Sequence, residues 1–280
     1  MKTGRILDFF GIHDIKQISE IKVGHINTTY LVTCSGGKYI LQSLNRSIFS
    51  NPDIVMRNIS FIGKAFENKR EIAVPQYLVG NSGNFTEYDG EIWRAYKYIE
   101  NYGEYSHYVH GYAAGRFLKI VNSCDFEFGT PIAELHDFDL TDIPKRNIHG
   151  DTKADNIIFG EKPAVIDFDT AMRGYICADY GDMIRSVTTE KFDLTAVREV
   201  TRGFADGVGG IITDGEKNSL YLGIILIMTE LAERYRGGVK NFPNKTPKQC
   251  LERYEQLKLH LDLIHSHEKE IVNIINEYFA

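Results

Sequence analysis

Short apolar runs separated by turn residues occupy most of the first hundred positions, a pattern typical of β-strands. Residues 25–34 and 38–42 are two such runs on either side of Ser35-Gly36-Gly37. A tight glycine turn between two strand-like runs predicts a β-hairpin. Further strands are predicted over residues 74–79, 85–88 and 91–99.

One segment of this strand-rich part follows helical spacing instead. Residues 51–69 carry apolar side chains at positions 54, 55, 59, 62, 65 and 66. Asn51 is a candidate N-cap, and Pro52 occupies the first helical position, where proline is well tolerated. The sequence therefore predicts a strand pair, then a helix, then more strands.

The pattern changes after Glu100, where longer helical segments dominate. Helices are predicted over residues 111–121, 130–137, 194–204, 216–236 and 246–278, and only residues 156–168 resemble sheet. A strand-rich first third followed by a helical remainder predicts an α+β protein with two lobes. The predicted lobes are residues 1–99 and 100–280, with a hinge near 99–103.

Composition and charge narrow the class of protein. The 280 residues are 43% hydrophobic and 25% charged, which are ordinary values for a globular protein. The net charge of −6 argues against a nucleic-acid partner, because proteins that bind nucleic acid are more often basic. The longest apolar run, residues 220–228, is about half of the roughly 20 residues that cross a bilayer, so it predicts a buried helix and no membrane partner.

The termini and cysteines point to the compartment. The N-terminal residues contain no uninterrupted apolar segment of the kind that a secretory signal needs. No two of the four cysteines form a C-x-x-C pair, which leaves a zinc cluster or a redox motif without support. We therefore expect a cytoplasmic protein with reduced thiols. The sequence makes no prediction of the oligomeric state.

The segment with the most candidate chemistry is residues 149–169, which read HGDTKADN, IIF, GEKP and AVIDFD. Two short apolar runs flank a four-residue turn, and pairing Phe159 with Ala164 places Asn156 opposite Asp167. Directly opposed residues in an antiparallel pair have Cβ atoms about 4.5–5.5 Å apart. The sequence therefore predicts an amide oxygen and a carboxylate side by side at the open end of a hairpin.

This pair of oxygen donors suits Mg²⁺, which takes few protein ligands and completes its shell with water and phosphates. Asp151 lies five residues before Asn156 and can point to the same place without being a primary ligand. Phosphoryl transfer needs such a carboxylate to orient the attacking hydroxyl group and to accept its proton. Lys153 is placed to reach the transferred phosphoryl group as a point charge.

The same residues carry a resemblance to kinases. Protein kinases have H-R-D-L-x-x-x-N and then D-F-G, and this chain has His149-Gly150-Asp151, Asn156 at the same offset, and Asp167-Phe168-Asp169. The glycine after His149 and the I-D-F-D ending resemble the aminoglycoside phosphotransferase and choline kinase superfamily. Further stretches are similar to N-acetylhexosamine 1-kinases, namely residues 24–30, 39–42, 93–94, 166–170 and 179–182 with Arg185, and Glu230 with Arg234.

The resemblance implies a protein-kinase-like two-lobed fold, with an antiparallel sheet in the N-lobe and a mainly helical C-lobe. It implies ATP and Mg²⁺, with Asp151 as the catalytic base and with Asn156 and Asp167 as the metal ligands. The remaining implied contacts are Asn27, Thr28 and Thr29 with the ATP phosphates, backbone groups near Glu100 with adenine, and Arg234 and His25 with the acceptor.

Two positions depart from the kinase pattern. The expected phosphate loop reads HINTTY, with hydroxyl and amide side chains where protein kinases have glycines, although such groups also donate to phosphate. The strand position at which kinases place a phosphate-binding lysine or arginine is Gln42. Lys38 and Arg46 are candidates to compensate for the missing charge.

Several polar residues have structural interpretations as well. Asp169 is either a second metal contact or a brace for its loop, and Asp179 is equally open. Arg234 lies four residues after Glu230, so a helix-surface ion pair is the alternative to an acceptor contact. Residues interpreted as structural or helix-surface positions are Asp182, His149, His136, His260, His265 and His267.

The preferred function is an ATP-dependent phosphotransferase that acts on a hydroxyl group of a small molecule. The preferred acceptor is a sugar, such as the anomeric hydroxyl of an N-acetylhexosamine. An aminoglycoside, choline or another amino alcohol is the alternative acceptor. A hypothesis of another class is a nucleotide-binding pseudokinase, which Gln42 keeps open and which the complete set of Asp151, Asn156 and Asp167 opposes.

Overall fold

The computed structural model describes residues 2–21, 26–81, 83–132, 135–136, 138–242 and 244–279. Within these ranges an antiparallel sheet is followed by a mostly helical remainder, which confirms the predicted α+β class. The exact position of the lobe boundary, at residues 99 and 100, stays a prediction.

The sheet has five antiparallel strands in the order β1-β2-β3-β5-β4. These strands are β1 (Ile15–Ile21), β2 (Thr28–Cys34), β3 (Gly37–Leu44), β4 (Thr86–Tyr88) and β5 (Glu91–Lys97). The predicted glycine hairpin is confirmed, because β2 and β3 pair from Thr28 with Ser43 to Cys34 with Gly37. A short helix, α1 (Lys2–Phe9), adds Ile6 and Leu7 to the apolar cluster that includes Leu41 and Trp93 of the sheet.

The predicted helix of this lobe is α2 (Pro52–Phe66). Asn51 is its N-cap as predicted, and its side chain accepts a hydrogen bond from the backbone N–H of Ile54. The buried face of α2 joins a cluster that contains Leu44 and Ile92 of the sheet together with Phe168 of the later I-D-F-D segment. This helix therefore packs against both the sheet and the candidate site.

Six helices make up most of the remainder: α3 (His107–Asn122), α4 (Ile176–Thr188), α5 (Leu194–Val208), α6 (Asp214–Arg236), α7 (Pro247–Ser266) and α8 (Glu268–Tyr278). The apolar run of residues 220–228 lies in α6, where Leu220, Ile224 and Met228 are buried in the core, as predicted. None of the helices in the described ranges combines the length and the apolar character that crossing a membrane requires.

Glycines let α4 and α6 approach at backbone distance. A Cβ atom on Gly223 would lie 2.0 Å from the carbonyl oxygen of Cys177, and one on Gly181 would lie 2.3 Å from the carbonyl oxygen of Gly223. No side chain fits at these distances, so the crossing depends on both glycines. The crossing matters for the site because α4 carries Asp179, Asp182 and Arg185.

We expect Gly223→Ala to lower the free energy of unfolding by about 1–3 kcal/mol, because the added methyl group forces the two helices apart. Urea unfolding followed by circular dichroism measures this change. Gly63→Ala on α2 is the matched control, since a Cβ there meets nothing within 4 Å, and it should gain about 0.5–1 kcal/mol. Equal stability of Gly223→Ala and the native protein would contradict the close helix crossing.

Two short strand pairs hold the segment of candidate chemistry. Strand β6 (Arg146–Ile148) pairs with β9 (Met172–Gly174), and β7 (Ile157–Ile158) pairs with β8 (Ala164–Val165). The predicted hairpin register is wrong by one residue, because Ile157 pairs with Val165. The carbonyl oxygen of Asn156 accepts a hydrogen bond from the backbone N–H of Ile166, so Asn156 does not face Asp167. The other edge of β8 explains the difference. Val165 donates to the carbonyl of Ala73, a long-range contact that local pairing rules do not include.

Three predicted elements are wrong or incomplete. Residues 74–79 form no strand, and Tyr77 makes only an isolated bridge to Tyr96. The described part of 130–137 is not helical, and His136 has a φ of 52°, which an α-helix does not allow. The long helix predicted over 246–278 is interrupted at His267, between α7 and α8. Elements that the sequence pattern missed are α1, β1, β6, β9 and α4.

Candidate active site

The loop after β6 is held by one buried carboxylate. Asp179, in the first turn of α4, accepts hydrogen bonds from the backbone N–H groups of His149 and Gly150, both at 2.8 Å. Its carbonyl oxygen accepts from the Thr152 hydroxyl at 2.6 Å. Burial raises the pKa of Asp179 to about 7, although the two N–H donors oppose this shift. Asp179 therefore acts as a structural anchor for the loop, a role that the sequence left open.

The loop presents Asp151 to a partly open site. Its Oδ2 atom accepts from Lys153 Nζ at 2.5 Å and from Asn156 Nδ2 at 2.9 Å. Asn156 Nδ2 also donates to the carbonyl oxygen of Asp151 at 2.8 Å. The Asp151 side chain remains 26% exposed, so a ligand can still reach the carboxylate. Thus three residues that the sequence singled out, Asp151, Lys153 and Asn156, lie together.

Electrostatics keep Asp151 and Lys153 charged. Burial alone would raise the pKa of Asp151, but the charge and hydrogen bond of Lys153, with smaller effects of His149 and Arg185, lower it below its ordinary value. Burial likewise opposes the charge on Lys153, yet Asp151 raises the pKa of the ammonium group. Asp151 is therefore a carboxylate at neutral pH, the form that can accept a proton.

Asp167 lies near Asp151, and the negative charges around its carboxylate outweigh the positive ones. Its backbone is left-handed, with a φ of 66°, at the start of the turn that follows β8. Burial and the nearby charges of Asp169 and Asp151 raise the pKa of Asp167 to about 7, while Lys153 and Arg94 oppose the shift less strongly. A divalent cation beside Asp167 would relieve this repulsion.

The donor set fits Mg²⁺ rather than a metal that needs a full protein cage. The amide nitrogen of Asn156 faces Asp151, which leaves the amide oxygen as the atom that can coordinate a cation. No cluster of three or more His, Cys, Asp or Glu side chains suited to a metal occurs in the part of the chain that the structure describes. One carboxylate and one amide oxygen suit Mg²⁺, which keeps phosphate and water ligands.

Asp169 is occupied by protein groups. Its Oδ1 atom accepts from Arg94 at 2.5 Å, and its Oδ2 atom accepts from Asn27 Nδ2 at 2.6 Å. Of the two interpretations of Asp169, these contacts favour the brace over the metal ligand. Asn27 in turn accepts from the backbone N–H of Asn45 at 3.1 Å, so the predicted phosphate loop is connected through Asp169 to the segment that carries Asp167.

Gln42 makes contacts that its position alone did not suggest. Its side-chain oxygen accepts from two nitrogens of Arg94, at 2.9 and 3.1 Å, and its nitrogen donates to the Thr29 hydroxyl at 3.1 Å. The two candidates to replace the missing lysine face elsewhere, because Lys38 pairs with Glu100 and Arg46 pairs with Glu87. The sequence motifs include Arg94 but indicate no role for it, because its partners Gln42 and Asp169 are distant along the chain.

The remaining residues predicted to contact the nucleotide or the acceptor have separate surroundings. Thr28, at the exposed start of β2, lies beside Asn27 and Thr29, while the Glu100 side chain is exposed and accepts from Lys38 at 2.9 Å. Arg234 is exposed and lies over the ring of Phe242. His25 falls outside the described residues.

Two histidines near the loop differ in charge. His149 accepts from the N–H of Asp151 through Nδ1 and faces the carbonyl oxygen of Ile166 with Nε2, so it is neutral, and burial lowers its pKa. His136 places Nδ1 at 2.9 Å from Glu230 and Nε2 at 2.9 Å from the carbonyl oxygen of Gly150. Both partners are acceptors, so both nitrogens of His136 must donate and the ring is charged.

These contacts correct two interpretations. His136 is not a helix-surface residue but a largely buried side chain that braces the loop after β6 through Gly150. Glu230 contacts His136 and not Arg234, so the helix-surface pair of Glu230 with Arg234 is wrong. Burial opposes the charge on His136, but the hydrogen bond and the charge of Glu230 outweigh it and raise the pKa of the imidazole.

The free energy of unfolding should therefore fall as the pH rises above 6.5, the ordinary pKa of histidine, through the higher value of folded His136. Glu230→Gln removes the charged partner and should lower stability below that range and flatten the slope. Chemical unfolding over a pH series that starts about one unit below the ordinary histidine pKa and continues upward until the native protein shows no further change measures both slopes. Asp179 and Asp182 also face His136, so the difference between the two proteins is the quantity to compare.

The exposed pair of Asp8 with His13 supplies the matched control. Their side chains are 68% and 64% exposed, so Asp8→Asn should leave the slope unchanged. If Glu230→Gln has the same pH slope as the native protein, His136 does not carry the charge.

A second basic residue, Arg185, acts on Asp151 through its charge. Arg185 donates to Asp182 Oδ1 through Nε at 2.8 Å, and its charge lowers the pKa of Asp151. The second oxygen of Asp182 is buried and has no hydrogen-bond partner within the described ranges. Burial and the charge of Arg185 lower the pKa of Arg253 on α7, although Tyr235 opposes this shift. Asp182, interpreted as structural from the sequence, thus has one oxygen with unused acceptor capacity beside the catalytic loop.

Part of the chain matches a known family, and the whole chain is similar in fold to solved structures. Residues 98–210 match the model of the phosphotransferase enzyme family, APH. Spectinomycin phosphotransferase APH(9)-Ia, solved in complex with ADP and spectinomycin, is similar at 15% identity and a TM-score of 0.65, with 98% of each chain covered. A microcompartment-associated aminopropanol kinase is similar at 11% identity and a TM-score of 0.70, covering 96% of this chain and 98% of the other.

An aminoglycoside phosphotransferase from Alicyclobacillus acidocaldarius is similar at 10% identity and a TM-score of 0.67, covering 98% of this chain and 96% of the other. These comparisons confirm the predicted kinase-like fold and support a small-molecule kinase, but they do not support the N-acetylhexosamine acceptor. Residues 98–210, which include Asp151, Asn156 and Asp167, carry the family match. The chain therefore shares its fold with aminoglycoside phosphotransferases and a choline kinase, and its residues 98–210 match the phosphotransferase family model.

Proposed function

We propose that the protein transfers the γ-phosphoryl group of ATP to a hydroxyl group of a small molecule. One observation carries the proposal: Asp151 is an ionised, partly exposed carboxylate that contacts Lys153 and Asn156 and lies beside Asp167. A base, a cation and two oxygen donors for a metal are the groups that phosphoryl transfer needs. The match of residues 98–210 to a phosphotransferase family supports the same reaction.

Asn156 and Asp167 would hold Mg²⁺, which supplies charge neutralisation for the phosphates when it is bound. Asp151 accepts the proton of the acceptor hydroxyl as the oxygen attacks the γ-phosphorus atom. The new P–O bond replaces the bond to the β-phosphate oxygen, and ADP leaves. Lys153 restrains the Asp151 carboxylate and adds positive charge next to the transferred group.

The nucleotide would lie between the β2–β3 hairpin and the metal-binding loop. Asn27 connects these two elements through Asp169, which supports a role of residues 27–29 in covering the phosphates. The Thr29 hydroxyl is held by Gln42 and is a candidate donor or acceptor at the same place. Backbone groups next to Glu100 are the proposed adenine contacts, since this residue follows β5 at the junction of the lobes.

For the acceptor we favour a neutral polyol such as a sugar, with the anomeric hydroxyl of an N-acetylhexosamine as the preferred case. Arg185 forms an ion pair with Asp182, which leaves less uncompensated negative charge near Asp151 to attract a cationic acceptor. The free buried oxygen of Asp182 suits a hydroxyl donor. Contacts of Arg234 and His25 with the acceptor remain part of this proposal, and Arg234 already stacks on Phe242 at the end of α6.

An amino alcohol or aminoglycoside is the second candidate. It rests on the names of similar structures, which are a spectinomycin phosphotransferase and an aminopropanol kinase. At 15% and 11% identity these likenesses concern the fold. A pseudokinase is less well supported, because Asp151, Asn156 and Asp167 are all present and the contacts of Gln42 bring in Arg94.

ADP release with Mg·ATP tests the proposal across a panel of N-acetylglucosamine, N-acetylgalactosamine, other hexoses, choline, amino alcohols and an aminoglycoside. Turnover on one sugar with loss of activity in Asp151→Asn would establish the kinase and name its acceptor. Turnover on the amines alone would replace the sugar with the second candidate. Nucleotide binding without turnover on any acceptor in the panel would favour the pseudokinase.

A further inference from the structure

Arg94 of β5 is a charged side chain that is completely buried, with a relative exposure of 0%. Among the residues that the structure describes, no other lysine or arginine is buried to this extent. Its guanidinium group lies 5.4 Å from the centre of the Tyr77 ring and donates to Asp169 and twice to Gln42. A buried charge is retained only when such partners compensate for the lost water.

The contacts of Arg94 connect the two segments that would form the proposed nucleotide site, residues 27–29 and residues 167–169. On one side Gln42 donates to Thr29 of the β2–β3 hairpin, and on the other Asp169 accepts from Asn27 of the same hairpin. Asp169 lies two residues after Asp167, the proposed metal ligand. The guanidinium thus links the phosphate hairpin to the metal-binding loop.

In other kinases an ion pair usually helps to position the phosphates. There a lysine on the third strand contacts the phosphates and a glutamate of the adjacent helix. The strand position is Gln42, and helix α2 contains no glutamate. Asn58 of α2 instead holds the metal-binding loop by neutral hydrogen bonds, donating to Ala171 at 2.8 Å and to Gly129 at 2.9 Å. Gln42 and Arg94 are direct neighbours across β3 and β5.

We propose that Arg94 is a positioning residue for Mg·ATP. From its place on β5, Arg94 performs the role that a lysine on β3 performs in other kinases. It orients Asp169, and through Asp169 and Gln42 it presents Asp167 and the β2–β3 hairpin to the same triphosphate. The proposal rests on the proposed function in that it assumes a nucleotide in this cleft. Lysine cannot replace Arg94, because one ammonium group does not reproduce the planar fork that serves Gln42 and Asp169 together.

The test compares a triphosphate with adenosine, since a residue that positions the phosphates acts on the first and not on the second. Calorimetry gives the Kd of the non-hydrolysable analogue Mg·AMP-PNP and of adenosine for the full chain. We expect Arg94→Gln and Arg94→Lys to weaken Mg·AMP-PNP binding about ten-fold or more and adenosine binding less than about two-fold. Arg57→Gln, an exposed arginine on α2, is the control and should change neither.

Two further variants separate positioning from folding. Arg94→Gln leaves Asp169 buried without its cation, which can destabilise the chain. The double variant Arg94→Gln with Asp169→Asn removes both charges and should unfold close to the native temperature, yet still bind Mg·AMP-PNP weakly. The exchange Gln42→Lys with Arg94→Gln restores the usual lysine and should recover most of the lost affinity.

If the double variant binds Mg·AMP-PNP with native affinity, Arg94 serves folding only. The same conclusion follows if the single variants lose affinity equally for adenosine and for Mg·AMP-PNP. Either result overturns the proposal and leaves the proposed function intact. Failure of the unaltered chain to bind Mg·AMP-PNP would overturn both. The binding measurement needs no acceptor, so an unknown acceptor does not affect it.

Discussion

Asp151→Asn is expected to lower kcat by about 10²–10⁴-fold, the usual contribution of a general base. The amide keeps the shape of the side chain and the contact with Asn156, but it cannot take up the proton of the hydroxyl group. Lys153 would lose its charged partner, since its ammonium group lies 2.5 Å from Asp151 Oδ2. Steady-state ADP release at saturating Mg·ATP and acceptor measures the change.

The control is Asp155→Asn in the same loop. Asp155 is exposed, and it lies between the two residues that contact Asp151 at the site. The substitution there should leave kcat within about two-fold of the native value, as expected for a surface position. Comparable loss in both variants would mean that the loop tolerates no charge change, and full activity of Asp151→Asn would exclude Asp151 as the base.

Asp167→Asn is expected to have an effect of similar size through the metal. A bound metal ion contributes several kcal/mol of charge stabilisation in phosphoryl transfer, which corresponds to a rate loss of about 10³-fold when it is removed. An amide is a much weaker ligand for Mg²⁺ than a carboxylate, so the variant should also need a higher Mg²⁺ concentration. Activity titrated with Mg²⁺ at fixed ATP separates the two effects.

A matched control exists because Asp142 has the same left-handed backbone, with a φ of 66°, and is exposed. Asparagine tolerates this conformation, so Asp142→Asn tests the substitution without the site. It should leave the Mg²⁺ dependence unchanged. If Asp167→Asn shows native Mg²⁺ dependence and native kcat, Asp167 is not a metal ligand and Asn156 must act with another group.

The segment that carries the proposed metal ligand Asp167 is held from two sides. Arg94 and Asn27 hold Asp169, and Asn58 holds the backbone at Ala171. Preorganisation of this kind reduces the rearrangement that accompanies each reaction, which is a main source of rate enhancement in phosphoryl transfer. It also explains why two acidic residues only two positions apart, Asp167 and Asp169, have different partners.

The sequence by itself determined the residues that can carry the chemistry and the order of the main elements. The offsets between Asp151, Asn156 and Asp167 are local, so spacing predicts that these groups lie close together, although it gave the hairpin register wrongly by one residue. Hairpin β2–β3 and helix α2 followed from turn glycines, an N-cap and periodic apolar residues, all of which act over a few positions. The superfamily resemblance rested on these same local motifs.

Only the tertiary structure decided the partners of the buried polar groups. The pairing of Asp169 with Arg94 spans 75 positions, and that of His136 with Glu230 spans 94, so no local pattern encodes either contact. The same holds for the hairpin register, which Ala73 shifts by one residue. Helix α4 buries apolar residues at helical spacing, but it also buries Asp179, Gly181 and Asp182, and only the tertiary structure shows that these polar positions face inward. Burial makes such contacts obligatory, since an unpaired charge away from water is costly, and burial is a property of the whole fold.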